Sequence, residues 1–483
     1  MKTRNKSLFV AFLLLTTTAL YGQGGQPFIH DPSTIVKCDG KYYTFGTGGG
    51  GLISEDGWHW NSGAVRPGGG AAPDAMKIGN RYLVAYSTTG GGMGGGHASS
   101  IMTMWNKTLD PNSPDFKYTE AVEVASSMID EDCNAIDAGL LLGPDGRLWC
   151  SYGTYFGHIR IVELDPMTGF RKEGNEAVDI ARNCEASIMI YRDGWYYLLG
   201  THGTCCDGVN STYNIVVGRA KTPTGPFIDN VGRSMIQGGG KSVITTEGRL
   251  VGPGHFGRYI EKEGVEKMSF HWEADMDQGG RSVLGIRSIV WKNGWPVAAD
   301  PFESGTYEIE SQRSGYALEL ATDFVRITSA GRGMSRNNTE PIPPVKEQTL
   351  ADVESTWPAG NIEVRNGYYM ARPNQRWSVI PVDKAGGYLG GQYYKIVIDG
   401  TNRALTANTD AQVEAAAYTG ADAQLWRIEC LTDGTYRIMP KAVPGHSEPF
   451  ALVSLGDCSP TLAPFDFNSD NSKWNFRRFS HIQ

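Results

Sequence analysis

The chain has 483 residues, too many for most single hydrophobic cores, so two or three domains are expected. Its 44 Lys and Arg against 52 Asp and Glu leave a net charge of −8 with no basic block, which argues against nucleic acid and anionic membrane as partners and suits a neutral, polar one. The eight cysteines show no metal-type spacing, and the many Tyr and Trp fit sugar stacking and β-core filling equally well.

Lys2, Arg4 and Lys6 precede an apolar run from Leu8 to Leu20 that is short for a membrane span. Residues 1–22 therefore read as a secretory signal peptide cleaved after Ala19 or Gly22, which predicts a soluble, exported protein, periplasmic or extracellular. After it, one design recurs: a polar residue nine positions ahead of a turn glycine, then an aromatic-rich strand ending near Gly-Thr. Asp31 precedes Asp39-Gly40, Asp137 precedes Asp145-Gly146, Glu185 precedes Asp193-Gly194 and His255 precedes Gly264. Each copy has β-rich runs on both sides of a turn, a hairpin pattern. A weaker copy starts at Asp74 and turns at Gly79-Asn80 after a shorter first strand. Five such hairpins predict an all-β fold, a five-bladed β-propeller over residues 23–300, in which the four polar side chains occupy equivalent places around one axis.

Several motifs along the way carry no chemistry. Gly46 to Gly51 satisfies the dinucleotide pattern, but the following Leu-Ile-Ser-Glu-Asp-Gly-Trp-His-Trp is no amphipathic helix. Gly238-Gly-Gly-Lys-Ser242 fails as a phosphate loop because Met235 stands where glycine is needed. The glycine runs 68–70 and 90–96 read as rim loops that shape an entrance. Cys205-Cys206, just after the Glu185 hairpin, read either as a vicinal disulfide stiffening a loop near the site or as unlinked thiols.

Inverting hydrolysis of a glycosidic bond needs one carboxylate to activate water and one carboxylic acid to protonate the leaving oxygen, held roughly 6.5 to 9.5 Å apart. A third acid raises the proton donor's pKa by like-charge repulsion. Asp31, Asp137 and Glu185 supply that inventory, the longer glutamate reaching toward a leaving group. At these residues the chain resembles glycoside hydrolase family 43, through His30-Asp31-Pro32-Ser33, Ala72-Pro73-Asp74, Asn134-Ala135-Ile136-Asp137, the Glu185 hairpin with Gly203 to Tyr213, Gly252-Pro253-Gly254-His255, and Leu284 to Trp291 with Gly294-Trp-Pro296. The resemblance spans about residues 28–298, and its Cys-Cys loop looks most like arabinan-active members. It implies inversion, with Asp31 as general base, Glu185 as general acid and Asp137 tuning Glu185. It also implies that His255 faces a central cation, often calcium, through water, since calcium prefers oxygen ligands. No cofactor is required for the chemistry. Asp74 and Arg287 are candidates for holding the sugar, with structural bracing as the alternative for each, and Tyr155, with Phe156, for lining a subsite or packing a core.

Beyond Trp295-Pro296 a different period appears. Gln375-Arg-Trp377, Gln424-Leu-Trp426 and Ser472-Lys-Trp474 fall at nearly equal intervals and pair with Tyr307-Glu-Ile309, Tyr394-Lys-Ile396 and Tyr436-Arg-Ile438. Three such units resemble the ricin-type β-trefoil, over residues 301–483. The first departs by an insertion around Asn337 to Pro358, and the third by serine in place of glutamine. Such a domain is either a carbohydrate-binding module or a structural appendage.

The function expected is an exported inverting glycosidase, foremost an α-L-arabinofuranosidase on plant-type polysaccharide. Endo-1,5-α-L-arabinanase, β-D-galactofuranosidase and β-xylosidase activities stay open. A retaining fructan-cleaving propeller fits His30-Asp31-Pro32 and Cys184-Glu185 but lacks that group's Arg-Asp-Pro, replaced here by Ala-Ile-Asp137-Ala. A sugar-binding protein without turnover is the non-enzyme alternative. The expected partner is an oligo- or polysaccharide, and the sequence leaves oligomeric state undecided.

Overall fold

Five sheets follow one another along the chain, each with four antiparallel strands built outward from an innermost first one; in the first sheet, Gly24–Gly25 adds a fifth, parallel strand at the outer edge. The computed structural model describes residues 23–88, 98–128, 132–154, 157–260, 263–313, 316–322, 350–455 and 460–479. The signal segment, glycines 90–96, Tyr155, Phe156 and much of the insertion near Asn337 lie outside these residues. The five first strands are Val36–Cys38, Ala71–Ile78, Gly139–Leu142, Glu185–Arg192 and Leu250–Ile260, and those of successive blades are neighbours around an axis. The turn chemistry enforces two of the hairpins: Asp39-Gly40 and Asp193-Gly194 have positive φ at both residues and join directly paired strands, the backbone that two-residue turns require.

Apolar side chains fill the spaces between blades. Val36, Tyr43 and Phe45 of the first blade pack with Tyr82 and Val84 of the second, and Leu199 and Ile215 of the fourth with Phe270 and Trp272 of the fifth. The ring is closed by the segment before the first blade: Phe28 bridges to Val283, and Leu284 donates its amide to Pro27 O at 2.8 Å.

Near the start of every first strand one residue takes the left-handed backbone: Asp31, Ala72, Asp137, Ala186 and His255, with φ of 53°, 45°, 59°, 50° and 57°. The pairing one residue earlier fixes the equivalence. Thr47 N bonds His30 O and Gly153 N bonds Ile136 O, while Ala71 faces Ser87, Glu185 faces Thr201 and Gly254 faces His271. Glu185 thus corresponds to His30, not to Asp31. Glu185 stands one residue closer along the chain to its partner Thr201 than His30 does to Thr47 or Gly254 to His271, so the shared nine-residue interval hides a one-residue shift in the fourth blade.

The blades end at Trp295–Ala298, and a second β-rich body begins at Gly305–Ser311. Its ten-stranded sheet places Trp377, Trp426 and Trp474 in one fully buried core, their indole N–H groups donating to Leu318 O, Leu405 O and Leu452 O at 2.8, 2.9 and 2.8 Å. Phe302, from the connection between the two bodies, sits with its ring 5.5, 5.5 and 5.7 Å from those of Tyr307, Tyr394 and Tyr436. Three equivalent tryptophans and three tyrosines around one plug are the pseudo-threefold core of a trefoil.

The trefoil docks on the propeller end that carries the blades' hairpin turns. Thr432 N donates to Gly264 O at 2.8 Å, Trp291 N to Thr432 O at 2.8 Å and Gly390 N to Gly57 O at 3.0 Å. Buried beneath them, Lys267 Nζ meets Glu429 Oε1 at 2.8 Å, and Arg427 and Arg437 each reach Glu429 Oε2 at 2.6 Å. The acids lie at the other end of the first strands.

Candidate active site

The three acids meet at the axis. Asp137 and Glu185 are buried, Asp31 half-buried. Asp31 opens the first blade in a left-handed conformation that few non-glycine residues hold without support. Its amide donates to His271 Nδ1 at 2.9 Å. Its Oδ2 accepts from Thr47 Oγ1 at 2.6 Å and lies 2.9 Å from His30 Nδ1, while Oδ1 lies 3.5 Å from His255 Nδ1.

Three of the left-handed residues give their amides to one equivalent position in the preceding blade. Thr47 Oγ1 of the first blade accepts from Ala72 N of the second, Thr201 Oγ1 of the fourth from His255 N of the fifth, and His271 Nδ1 of the fifth from Asp31 N of the first. These acceptors hold the same position in their blades. In the third blade that position is Gly153, which has no side chain, and the carboxylate of Asp137 takes its place: Oδ2 accepts from Ala186 N at 3.0 Å. A missing side chain thereby turns Asp137 toward the residue next to Glu185. Glu185 Oε1 in turn accepts a hydrogen bond from the buried Tyr213 hydroxyl.

Electrostatics separates the acids. Burial alone would push the Asp31 carboxyl up, but His30 against it, with His255 and His271 behind, holds it well below the usual carboxylate range. Glu185 goes the other way: burial, then the charges of Asp137, Asp31 and Glu273, raise it well above its ordinary value. Burial and the Asp31 charge push Asp137 up to about 8. One acid is thus kept ionised, and the Asp137–Glu185 pair retains protons near neutrality. His30 sits between Asp31 and Glu273; burial disfavours its charge, but the two carboxylates push it up to about 11.

His255 is buried, and burial pushes its imidazole down to about 4 against the pull of Asp31. Its protein neighbours, Asp31 Oδ1 and the His271 ring, do not make the oxygen cage that calcium takes. An ion at this point would be held mainly by water, and no step of the reaction is routed through it. Asp74 is buried with Oδ1 accepting from Thr34 N at 3.0 Å and Oδ2 from Leu140 N at 2.9 Å, so it ties the first, second and third blades together. Arg287 lies on the fifth blade's third strand, bonded to Ile286 O at 3.2 Å and Glu247 Oε2 at 3.1 Å. Cys205 and Cys206 are joined to each other, and their sulfurs lie within 4.8 Å of a His30 nitrogen. The loop carrying them is clasped by reciprocal bonds between Thr204 and Thr212 at 3.0 and 3.1 Å.

Comparison with known proteins agrees with this geometry. Residues 49–296, slightly more than half the chain, match the family described as glycosyl hydrolases family 43, and residues 373–446 match the ricin-type β-trefoil lectin domain-like family. The chain belongs to glycosyl hydrolases family 43. It is a glycosidase. An extracellular exo-α-(1→5)-L-arabinofuranosidase of Cellvibrio japonicus is 30% identical over 60% of this chain and 91% of its own length. An extracellular endo-α-(1→5)-L-arabinanase of Bacillus subtilis is 29% identical over 58% and 90%. The crystal structure of an exo-1,5-α-L-arabinanase from a bovine ruminal metagenomic library superimposes with a TM-score of 0.53 at 30% identity, covering 58% of this chain and all of that one.

Around the acids of this family 43 glycosidase stand groups that reading the sequence for acids did not single out: Thr47, Tyr213, His271 and Glu273. His271-Trp-Glu273 carried a signal, since residues two apart on a strand share a face. The strand-end threonines carried another, but only pairing across blades reveals what they accept.

Proposed function

We propose that this glycosidase hydrolyses α-L-arabinofuranosyl linkages of arabinan-type polysaccharide with inversion at the anomeric carbon. One observation carries the reading: around a single channel the Asp31 carboxyl is held down and the Glu185 carboxyl held up, the division of labour that a base and an acid need. Asp31 Oδ1 takes a proton from a water whose oxygen bonds the anomeric carbon. As that bond forms, the carbon's bond to the leaving oxygen breaks, and Glu185 gives that oxygen its proton. Asp137 raises and orients Glu185. Oδ2 of Asp31 is occupied by Thr47 and His30, which leaves Oδ1 for the water.

The arabinose preference rests on relatives named for arabinan that include exo- and endo-acting enzymes at nearly equal identity. Exo release of single arabinofuranosyl units is the mode put forward. Export is supported by the basic and apolar opening of the chain and by the extracellular relatives. For the trefoil, the buried Lys267–Glu429 pair favours a fixed structural partner of the propeller.

The test is to follow hydrolysis of an aryl α-L-arabinofuranoside by NMR and to digest linear arabinan. The β-anomer appearing first, with arabinose as the early arabinan product, is expected. The α-anomer first would overturn inversion, a ladder of oligosaccharides would replace exo with endo action, and turnover only on β-D-xylosides or β-D-galactofuranosides would overturn the substrate.

A further inference from the structure

The acceptor for the Asp31 amide is chemically unlike its counterparts. Thr47 and Thr201 accept through hydroxyls, which rotate to suit any partner. His271 can accept at Nδ1 only when that nitrogen carries no proton, so the proton of its neutral ring must sit on Nε2, in a fully buried place where it needs an acceptor. Glu273 Oε1, two residues on along the same strand, is 3.1 Å from His271 Nε2. The same oxygen is 3.1 Å from His30 Nε2, and the two rings are stacked at 4.4 Å. His30 Nδ1 then faces Asp31 Oδ2 at 2.9 Å. A single carboxylate oxygen therefore governs two imidazoles, one holding the main chain of Asp31 and the other its side chain.

We propose that Glu273 is a positioning residue for the catalytic base: it fixes the tautomer of His271 that accepts the Asp31 amide, and it turns the Nδ1–H of His30 onto the Asp31 carboxylate. The inference rests on the reading of Asp31 as the base. With the amide bond in place, Asp31 keeps the left-handed backbone that points its side chain into the channel. With His30 in place beside Thr47, Oδ2 is occupied and Oδ1 alone meets the water. A misplaced base loses rate and leaves sugar binding largely intact, because the water it activates is not part of the sugar's own contacts.

Glu273→Gln preserves shape, but its neutral carbonyl oxygen is a weaker acceptor for two ring N–H groups than the charged carboxylate oxygen, so both imidazoles are held less firmly. The expected result is kcat lower by about a hundredfold or more with KM within about threefold, the pattern of an interaction felt in the transition state. His30→Gln should lower kcat at least about tenfold, and the double variant should be no more than about twofold worse than the poorer single, because the two residues act through one base. Nitrogen-15 spectra of the imidazoles should show His271 as the Nε2–H tautomer. A kcat for Glu273→Gln within about threefold of the parent, single losses that multiply in the double variant, or an Nδ1–H tautomer would each overturn the proposal. Should Glu273→Gln not fold, His271→Thr supplies the hydroxyl found at Thr47 and Thr201. It should fold and keep kcat well above that of His271→Val, which offers no acceptor and should lose at least about tenfold; equal kcat for the two would also overturn the proposal. Asp31→Asn separates the two ideas: full turnover by that variant removes the base itself, whatever Glu273 does.

Discussion

Two clusters of buried charge lie at opposite ends of the propeller, and they are built to opposite rules. At the junction with the trefoil, one acid, Glu429, faces Lys267, Arg427 and Arg437; burial would raise its carboxyl, but the three cations hold it well down. At the axis, three acids crowd together and raise two of their number, and the charged histidine against them is His30. The first arrangement is settled and neutralising, the second frustrated. Frustration is tolerable only where the surrounding structure over-determines it and where it performs chemistry. The five-blade ring, with its relay of amide acceptors, is what over-determines it.

The comparison breaks most visibly if single isosteric changes are made at the axis. Glu185→Gln should lower turnover about a thousandfold or more with stability within about 1 kcal/mol, since it replaces a carboxyl that already holds its proton, whereas Asp31→Asn should lower turnover as far and also cost about 1–3 kcal/mol, because it strips the carboxylate from His30. Hydrolysis kinetics beside a thermal melt checks this; a large drop in melting temperature with residual activity would mean the acids hold the fold instead. Glu429→Ala should do the reverse. Leaving Lys267 buried without its carboxylate, it should cost about 3–5 kcal/mol, read by denaturant unfolding, with turnover per folded molecule within about twofold.

A finer test uses the repulsion itself. Glu185 must be protonated to act, and the Asp137 charge helps keep it so. Asp137→Asn removes that charge, so the Glu185 carboxyl falls and the alkaline limb of kcat/KM against pH moves to lower pH, by about one unit. A limb that stays put would assign the proton to a group other than Glu185. The acidic limb, set by Asp31, should lie below the range of an ordinary carboxylate because His30 stands against it.

Much of this was legible in the chain. Asp-Gly turns dictate hairpins through the positive φ they permit, and their recurrence proposed the blades; Gln-x-Trp spacing proposed the trefoil core that Trp377, Trp426 and Trp474 form. The channel acids Asp31, Asp137 and Glu185 stood out because each falls nine residues ahead of a turn glycine, and Glu185 further because the apolar strand after it is hard to explain as surface. Counting residues misled at Glu185, since its hairpin is one residue shorter between Glu185 and Thr201 than the first is between His30 and Thr47, which puts Glu185 in the His30 position. Asp74 was open between sugar contact and bracing; only long-range pairing shows its oxygens taken by Thr34 and Leu140. The family match begins at residue 49, so the Asp31 hairpin lies before it, and the fold is what brings Asp31 to the other two.

The trefoil offers the smallest and most local test, because its three units are unequal in one detail. Gln375 gives its amide to Glu319 Oε2 and Tyr368 O at 2.8 and 2.7 Å, and Gln424 gives its own to Thr406 Oγ1 and Ala417 O at 3.1 and 2.9 Å. Glu319 and Thr406 each follow the leucine whose carbonyl binds the unit's tryptophan. In the third unit the residue after Leu452 is Val453, and Ser472 stands for the glutamine. The serine is therefore matched to an apolar neighbour. Ser472→Gln should lower stability by about 1 kcal/mol, because the longer amide would be buried against Val453 with one partner missing. Adding Val453→Thr, which recreates the Thr406 arrangement, should recover most of that loss. Equal stability of the single variant and the parent, measured by denaturant unfolding, would show that the third unit differs from the others in name only.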